Sequence, residues 1–193
     1  MTSNRGPLDK QEFIGRLLSP ERAETLDPLV IMSFCPINIH DTVADIGCGP
    51  GYFALPLAKY VAHGKLYALD TDDEMLEALR ERVTAAKLGN IEILKNDGAN
   101  FPLPEASLDG LLLAFVIHDS EERLAFLEAA AKLLKRSGWC CVLEWYRKET
   151  EYGPPLEMRI EPEEMMAIGK DAGLTLLRQR DLKGTQYMLL FKR

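Results

Sequence analysis

The sequence lacks any apolar run of the length that crosses a bilayer, which is about 20 residues for a helix. Residues 1–7 are mostly polar and lack the apolar segment of a secretory signal peptide. These two absences predict a soluble protein of the cytoplasm that does not enter a membrane.

Positive charge is also scarce, because 23 Lys and Arg residues stand against 30 Asp and Glu residues, for a formal net charge of −7. An acidic chain repels phosphate backbones and anionic lipid surfaces. The composition therefore disfavours nucleic acid and membranes as partners. It leaves the oligomeric state open.

Cysteine is rare, and the four residues Cys35, Cys48, Cys140 and Cys141 show no C-x-x-C spacing. Adjacent residues of a strand point to opposite faces, so Cys140 and Cys141 are not expected to share a ligand. No metal site is predicted, and the cysteines are interpreted as buried free thiols.

The remaining composition is that of an ordinary globular protein, with 47% apolar and 27% charged residues in 193. This length predicts one domain over residues 1–193. Residues 1–10 show no periodicity and are predicted to be mobile. Residues 11–40 carry helical spacing and two proline start signals, which predict short helices. Residues 41–193 are predicted to form the main core.

From residue 41 onward, strand and helix patterns alternate, which predicts parallel strands joined by right-handed crossovers. Antiparallel pairing is predicted only at the end, where two strands flank Lys183-Gly184. The fold class is thus α/β, with a Rossmann-like, doubly wound, seven-stranded and mostly parallel sheet, a C-terminal antiparallel hairpin and N-terminal helices. The predicted strands are Thr42–Ile46, Lys65–Asp70, Ile91–Lys95, 109–115, 139–145, 174–179 and 186–191, and the helices are 52–62, 72–88, 120–136 and 162–172.

The most informative stretch is residues 43–51, Val-Ala-Asp-Ile-Gly-Cys-Gly-Pro-Gly. An apolar strand ends in an acid and breaks into alternating glycines, as at a strand, a tight turn and a helix start. Glycines allow positive φ and a close approach of backbone amides to a ligand. The spacing matches neither the dinucleotide fingerprint nor the phosphate loop.

This loop, with Leu66-Tyr-Ala-Leu-Asp70 and Asn96-Asp97-Gly98, resembles the class I S-adenosylmethionine-dependent methyltransferases. Within them it is most similar to the small-molecule branch that includes the ubiquinone/menaquinone and arsenite methyltransferases. The resemblance implies S-adenosyl-L-methionine as cofactor. The cofactor-binding residues that it implies are Asp45, Gly47, Cys48, Gly49, Gly51, Tyr52, Asp70, Thr71, Met75, Asp97, Gly98 and Phe115.

Two of these acids have competing interpretations. Asp70, at the end of the second strand, is placed to accept both ribose hydroxyls. It could instead cap the next helix, although Thr71 and Asp72 are better placed for that. Asp97 is the residue that the resemblance assigns to the adenine amino group. Asp-Gly is also a turn pair that needs no ligand. Asp45 is expected to order the loop, whereas the resemblance implies a water-mediated contact to the methionine amino group.

Residues at the ends of the fourth and fifth strands are candidates for the acceptor pocket. His118 is the candidate catalytic base, or a ring wedged beneath a helix. Asp119, Glu144 and Tyr146 are predicted to bind substrate, although an ordinary strand end would explain the last two. The loop 149–155 and the helix around Phe13 are predicted to cover the pocket, with a plain surface crossover and a structural cap as the alternatives.

Together, these expectations predict an enzyme that transfers the methyl group of the cofactor to a small-molecule acceptor by direct displacement. Alignment carries most of such a reaction, and a base is needed only for a protonated acceptor. The alternatives are an NAD(P)-dependent oxidoreductase and a non-catalytic protein of methyltransferase fold that binds the cofactor.

Overall fold

A computed structural model describes residues 9–193 and contains one seven-stranded sheet with the order β3-β2-β1-β4-β5-β7-β6. Strands β1 to β5 run parallel, and β7 lies antiparallel between β5 and β6. The predicted fold class is confirmed, including the terminal hairpin. The strands are β1 Thr42–Ile46, β2 Lys65–Asp70, β3 Ile91–Lys95, β4 Leu108–Ala114, β5 Leu134–Trp145, β6 Thr175–Leu182 and β7 Gln186–Lys192.

Helices cover both faces of this sheet. Their bounds are α1 Lys10–Leu17, α2 Ala23–Leu26, α3 Pro28–Phe34, α4 Ala54–Tyr60, α5 Asp73–Ala86, α6 Arg123–Leu133 and α7 Pro162–Asp171. Asp27 starts α3 by accepting the Leu29 amide at 2.8 Å, and Pro28 occupies the first helical position, as the sequence signal indicated. No helix in residues 9–193 has the length and apolar character to cross a membrane.

The core consists of two apolar layers, because successive residues of a strand point to opposite faces. Val43 packs with α3, α4 and α5 on one face, whereas Ala44 packs with α6 and α7 on the other. In register, Ile46 pairs with Leu69 of β2 and Leu113 of β4. The carboxyl ends of these three central strands therefore meet at one edge.

The predicted bounds of β1, β2 and β3 agree with the structure, whereas the boundary between α6 and β5 was wrong. Helix α6 ends at Leu133, and β5 begins at Leu134 instead of residue 139. The reason is a pairing of Leu134 with Leu108 across the sheet. Helix α1 begins at Lys10, the last residue of the range 1–10, whose mobility stays a prediction. The expectation for residues 1–8 lies outside the described residues.

Candidate functional site

The glycine loop after β1 is fixed by backbone hydrogen bonds to the end of β2. The amides of Gly47 and Cys48 both donate to the Leu69 carbonyl, at 2.8 and 3.0 Å. Gly47, Gly49 and Gly51 have φ values of 74°, 52° and 85°. Residues other than glycine adopt such values at a cost. The local sequence therefore builds this turn as predicted.

The surroundings of the three glycines differ. A Cβ on Gly47 would lie 2.7 Å from a Val116 methyl, and one on Gly51 would lie 2.4 Å from Leu79. A Cβ on Gly49 would meet nothing closer than Leu17 at 3.9 Å. Gly47 and Gly51 thus permit packing, whereas Gly49 leaves open space above the loop.

Asp70 connects this loop to the start of α5. One carboxylate oxygen accepts the Gly49 amide at 2.7 Å, and the other accepts the Asp72 amide at 3.0 Å. Asp72, not Asp70, caps α5 by accepting the amides of Glu74 and Met75. A carboxylate has about four acceptor positions, so Asp70 retains acceptor capacity toward the space above the loop.

A cavity of about 470 Å³ lies at this edge of the sheet. The glycine loop, Asp70, Asn96 and the chain after β4 form its floor and sides, and Phe13 and Leu17 of α1 line it as well. The predicted residues that it brings together are Gly47, Cys48, Gly49, Tyr52, Asp70, Thr71, Met75, Gly98, Phe115 and Asp119.

Asp45 does not line this cavity and lies buried next to the loop, with 1% of its surface exposed. Neither of its carboxylate oxygens has a hydrogen-bond partner among the described residues. Burial and the negative charge of Asp70 raise the pKa of Asp45 to about 7, against the opposing effect of Arg22. Such an unsatisfied buried carboxylate costs free energy unless a cation or donor approaches it.

Asp97 is exposed and does not line the cavity. Its oxygens accept the amides of Ala99 and Asn100 and the Asn100 side chain, at 2.7–3.0 Å. These bonds, that of the Asn100 side chain first, lower the pKa of Asp97 to about 2. Its neighbours Asn96 and Gly98 do line the cavity. This geometry favours the turn interpretation of Asp97, and its contact with adenine stays a prediction.

His118 forms a buried pair with Glu144. Its Nδ1 lies 2.8 Å from one Glu144 oxygen, and its backbone amide donates to the other at 3.1 Å. Burial opposes charge on the ring, but the hydrogen bond and charge of Glu144 raise the pKa of His118 above its ordinary value. His118 does not line the cavity, and its Nε2 lies 3.4 Å from the exposed Asp119, which does.

Glu144 and Tyr146 do not line the cavity either. Glu144 is fully buried against His118, and Tyr146 packs against Tyr187 with ring centroids 5.2 Å apart. The structure thus separates these two from Asp119, with which the sequence had grouped them. Gly51 also lies outside the lining.

Phe115 adopts a φ of 62° directly after β4, where its ring lines the cavity 5.5 Å from the Trp145 ring. A bulky residue in this region is an outlier, of the kind that clusters at functional sites. Sequence reasoning named Phe115 but had no signal for this conformation.

Sequence reasoning missed several residues that line the cavity, of which Lys10, Arg22 and Asn96 are the polar ones with the clearest contacts. Lys10 pairs with Asp72. With the Asn96 side-chain amide oriented as its hydrogen bonds require, its nitrogen donates to the Asp70 backbone carbonyl and its oxygen accepts from the Gly98 backbone N–H, both at 3.1 Å. Asn96 was visible as the polar residue after β3. The helix around Phe13 was expected to cover the pocket, but no local signal indicated Lys10 or Arg22 as residues of its lining.

These features define a nucleoside-binding site of Rossmann type. They are a doubly wound sheet, a glycine loop after β1, a carboxylate at the end of β2 and a cavity at the carboxyl edge of the sheet. A family described as "Methyltransferase domain" matches residues 44–142, just over half of the chain. A S-adenosylmethionine-dependent methyltransferase from Aquifex aeolicus superposes with a TM-score of 0.88 at 30% identity, over 96% of this chain and 99% of that one. The chain belongs to this family of S-adenosylmethionine-dependent methyltransferases.

Two further relatives are more distant. The demethylmenaquinone methyltransferase of Geobacillus kaustophilus is 28% identical over 52% of this chain and 43% of its own length. The chain therefore spans less than half of that relative. The [4+2]-cyclase SpnF has a TM-score of 0.79 at 14% identity, over 91% of this chain and 83% of that one, which shows the fold alone.

The residues at the site fit the cofactor of this family, S-adenosylmethionine. Asp45, a buried carboxylate without a partner, lies next to the glycine loop, and negative charge there favours a ligand with an ammonium and a sulfonium. Free acceptor positions on Asp70 suit ribose hydroxyls. The open space above Gly49 permits a ligand to approach the loop backbone. Within residues 9–193 no cluster of His, Cys, Asp or Glu could hold a metal ion.

Proposed function

We propose that this methyltransferase acts on a small-molecule acceptor and binds both reactants in the cavity above β1, β2 and β4. The observation that carries the proposal is the cavity itself, with a volume of about 470 Å³. This volume lies within the range of small-ligand sites, about 300–1,000 Å³. A polymer substrate would instead favour an open groove. The cofactor supplies an activated methyl group, so the protein must mainly align the acceptor.

The walls of the cavity support a planar, largely apolar acceptor. Phe13, Phe115 and Phe126 line it, and aromatic rings bury planar groups well. The relatives named demethylmenaquinone methyltransferases make quinol-type rings the first acceptors to test. Asp70, Gly47 and Gly49 are proposed to hold the nucleoside end, with Tyr52, Thr71 and Met75 beside them.

For an acceptor that must lose a proton, we propose a relay from Asp119 to His118. Asp119 lines the cavity, and its carboxylate lies 3.4 Å from His118 Nε2. Glu144 fixes the ring through Nδ1 at 2.8 Å and stabilises its charged form. His118 would thus act through Asp119 and not by direct contact with the acceptor.

The experiment is a turnover assay with methyl-labelled S-adenosylmethionine and a panel of quinols, phenols, amines and thiols. We expect transfer to one class, with the loss of transfer in Asp70→Ala. Saturable cofactor binding with no transfer to any acceptor would favour a protein that binds the cofactor without catalysis. Transfer to protein or nucleic acid in a cell extract, but to no small molecule, would contradict the proposal.

A second assay tests the relay. His118→Ala should lower kcat about 10- to 1,000-fold for a protonated acceptor and leave cofactor affinity within about threefold. Asp119→Asn should have a similar effect on kcat with a smaller effect on the melting temperature, because Asp119 is exposed. Unchanged kcat in both variants, with a lower melting temperature for His118→Ala alone, would make the His118 and Glu144 pair structural.

A further inference from the structure

Arg22 lies in the segment that precedes the sheet, and neither the nucleoside end nor the proposed proton relay uses it. Arg22 ends a 3-10 helix at Pro20–Arg22 and lines the cavity. Its guanidinium carbon lies 4.4 Å from the centroid of the Tyr52 ring, and 5.5 and 5.9 Å from those of Phe53 and Phe115. Three aromatic rings therefore hold a cation at the wall of the site.

The hydrogen-bonding capacity of this cation is mostly unused. An arginine has five N–H donors. Within residues 9–193, the Arg22 guanidinium makes one hydrogen bond, from Nη1 to the Leu17 carbonyl at 2.8 Å, and no ion pair. Burial lowers the pKa of Arg22 to about 10, so the group remains charged near neutral pH. The guanidinium fork matches a carboxylate, which it binds with two parallel hydrogen bonds.

A buried carboxylate lies close enough to Arg22 to interact with it electrostatically, without forming an ion pair. This is Asp45, both oxygens of which lack partners among the described residues. A positive group on the cavity wall and a buried negative group, both with unused hydrogen-bonding capacity, therefore lie near the same loop. An α-amino acid has the complementary pair of charges, an ammonium and a carboxylate.

We propose that Arg22 is the receptor for the α-carboxylate of the cofactor's methionine moiety, and that this contact makes the enzyme select ligands that carry the carboxylate. The inference rests on the cofactor site proposed above. A cation at this position would repel the sulfonium and the ammonium of the ligand unless an anion lay between them. The carboxylate is the group of the cofactor that supplies this anion.

The test compares binding of S-adenosylmethionine and decarboxylated S-adenosylmethionine by calorimetry, since the two differ only in the carboxylate. We expect the wild type to prefer the former about 10- to 100-fold, the range of a charge-assisted hydrogen-bonded pair. Arg22→Gln should abolish this preference and leave affinity for the decarboxylated ligand within about threefold. Arg22→Lys should keep part of the preference, because lysine has the charge without the fork.

Arg16→Gln is the matched control, because Arg16 also stacks on an aromatic ring, that of Tyr152 at 4.5 Å, but does not line the cavity. It should keep the wild-type preference. Thermal melting shows whether each variant folds. If Arg22→Gln does not fold, the test rests on Arg22→Lys, which must then show a reduced preference for S-adenosylmethionine. An intact preference in a folded Arg22 variant, or an equal loss of both ligands, would overturn the inference. Failure of the wild type to bind either ligand would instead contradict the cofactor site itself.

Discussion

At the scale of single residues, Asp70 at the end of β2 and Asp97, two residues beyond β3, have different surroundings. Asp70 lines the cavity and accepts the amides of Gly49 and Asp72. Asp97 has a similar place after its strand but closes an exposed turn with Asn100. The same residue type near the ends of two neighbouring strands therefore faces a ligand site in one case and solvent in the other.

Asp70→Ala should weaken cofactor binding by about 1.5–3 kcal/mol, or roughly 10- to 100-fold, because ribose hydroxyls would lose their acceptor. The variant also loses two loop hydrogen bonds, so its melting temperature should fall. Asp97→Ala is the matched control, with affinity within about threefold of the wild type. Calorimetry measures both. An equal loss of cofactor affinity in Asp97→Ala would instead support the contact between Asp97 and the adenine amino group that the resemblance implies.

The buried Asp45 should make cofactor affinity depend on pH. Its pKa is raised to about 7, so the side chain is mostly neutral below this pH and negative above it. Only the negative form attracts the ammonium and sulfonium of the cofactor. We therefore expect affinity to increase as the pH rises through about 7, by at most about tenfold per pH unit for one proton.

Calorimetry between about pH 5.5 and 8 measures this dependence, and Asp45→Asn is the control. The variant should bind more weakly than the wild type at high pH, with little change in affinity across the range. The pKa of His118 is raised from its ordinary value, and any contribution of His118 to the pH dependence would persist in Asp45→Asn. A pH dependence that is the same in both proteins would exclude Asp45 as its source.

At the scale of elements, two glycines of the loop after β1 have different roles, one in cofactor binding and one in core packing. Gly49→Val places its side chain in the open space above the loop, whereas Gly51→Val forces a contact that begins 2.4 Å from Leu79. Both positions have positive φ, and each substitution carries a backbone cost of about 1–2 kcal/mol. The two variants differ in what the side chain meets.

We expect Gly49→Val to abolish detectable cofactor binding and to lower stability only by the backbone cost. Gly51→Val should lower the free energy of unfolding by an additional 1–3 kcal/mol or so, from overpacking against α5. Denaturant titration and calorimetry on the same samples separate the effects. If Gly49→Val binds like the wild type, the cofactor does not lie above this loop.

The same scale shows what the sequence could predict. The bounds of β1, β2 and β3 were correct because glycines and acids end these strands locally. The predicted end of α6 was wrong because Leu134 pairs with Leu108, which is 26 residues earlier in the chain. Local sequence patterns do not show such a long-range pairing. The loop and Asp70 were placed for the same local reasons that placed the strands.

The acceptor side of the site was less predictable because it depends on where side chains point. Position at a strand end suggested Glu144 and Tyr146, but one turns to the buried His118 and the other to Tyr187. Arg22 was missed because its segment reaches the loop only through tertiary packing, by way of the Tyr52 hydroxyl that donates to Leu26 and the stack on Tyr52.

At the scale of the whole molecule, α1 lines the cavity and contacts two elements beside it. Lys10 pairs with Asp72 at the start of α5, and Arg16 stacks on Tyr152 in the loop after β5. That loop does not line the cavity. The buried Arg159 orders it by donating to the Pro154 carbonyl at 2.9 Å and the Thr150 hydroxyl at 2.7 Å. The geometry favours α1, and not the loop, as the element that covers the site.

This arrangement predicts that cofactor binding changes the dynamics of α1 and the loop together. A ligand beneath Phe13 and Leu17 adds contacts to a helix in which Ile14 is the buried residue. Local opening of α1 should then become rarer, and its amide hydrogen exchange slower. Loop residues 150–154 should slow to a smaller extent, through Tyr152 and Arg16.

Hydrogen-exchange mass spectrometry with and without S-adenosylmethionine measures this, with the hairpin β6–β7 as the internal control. We expect no change in the hairpin, which lies at the far edge of the sheet. Arg16→Gln should uncouple the two segments, so that the cofactor protects α1 but not the loop. Protection of the glycine loop with none in α1 would show that α1 is a structural cap on the sheet. The cavity would then have to admit both reactants without moving its cover.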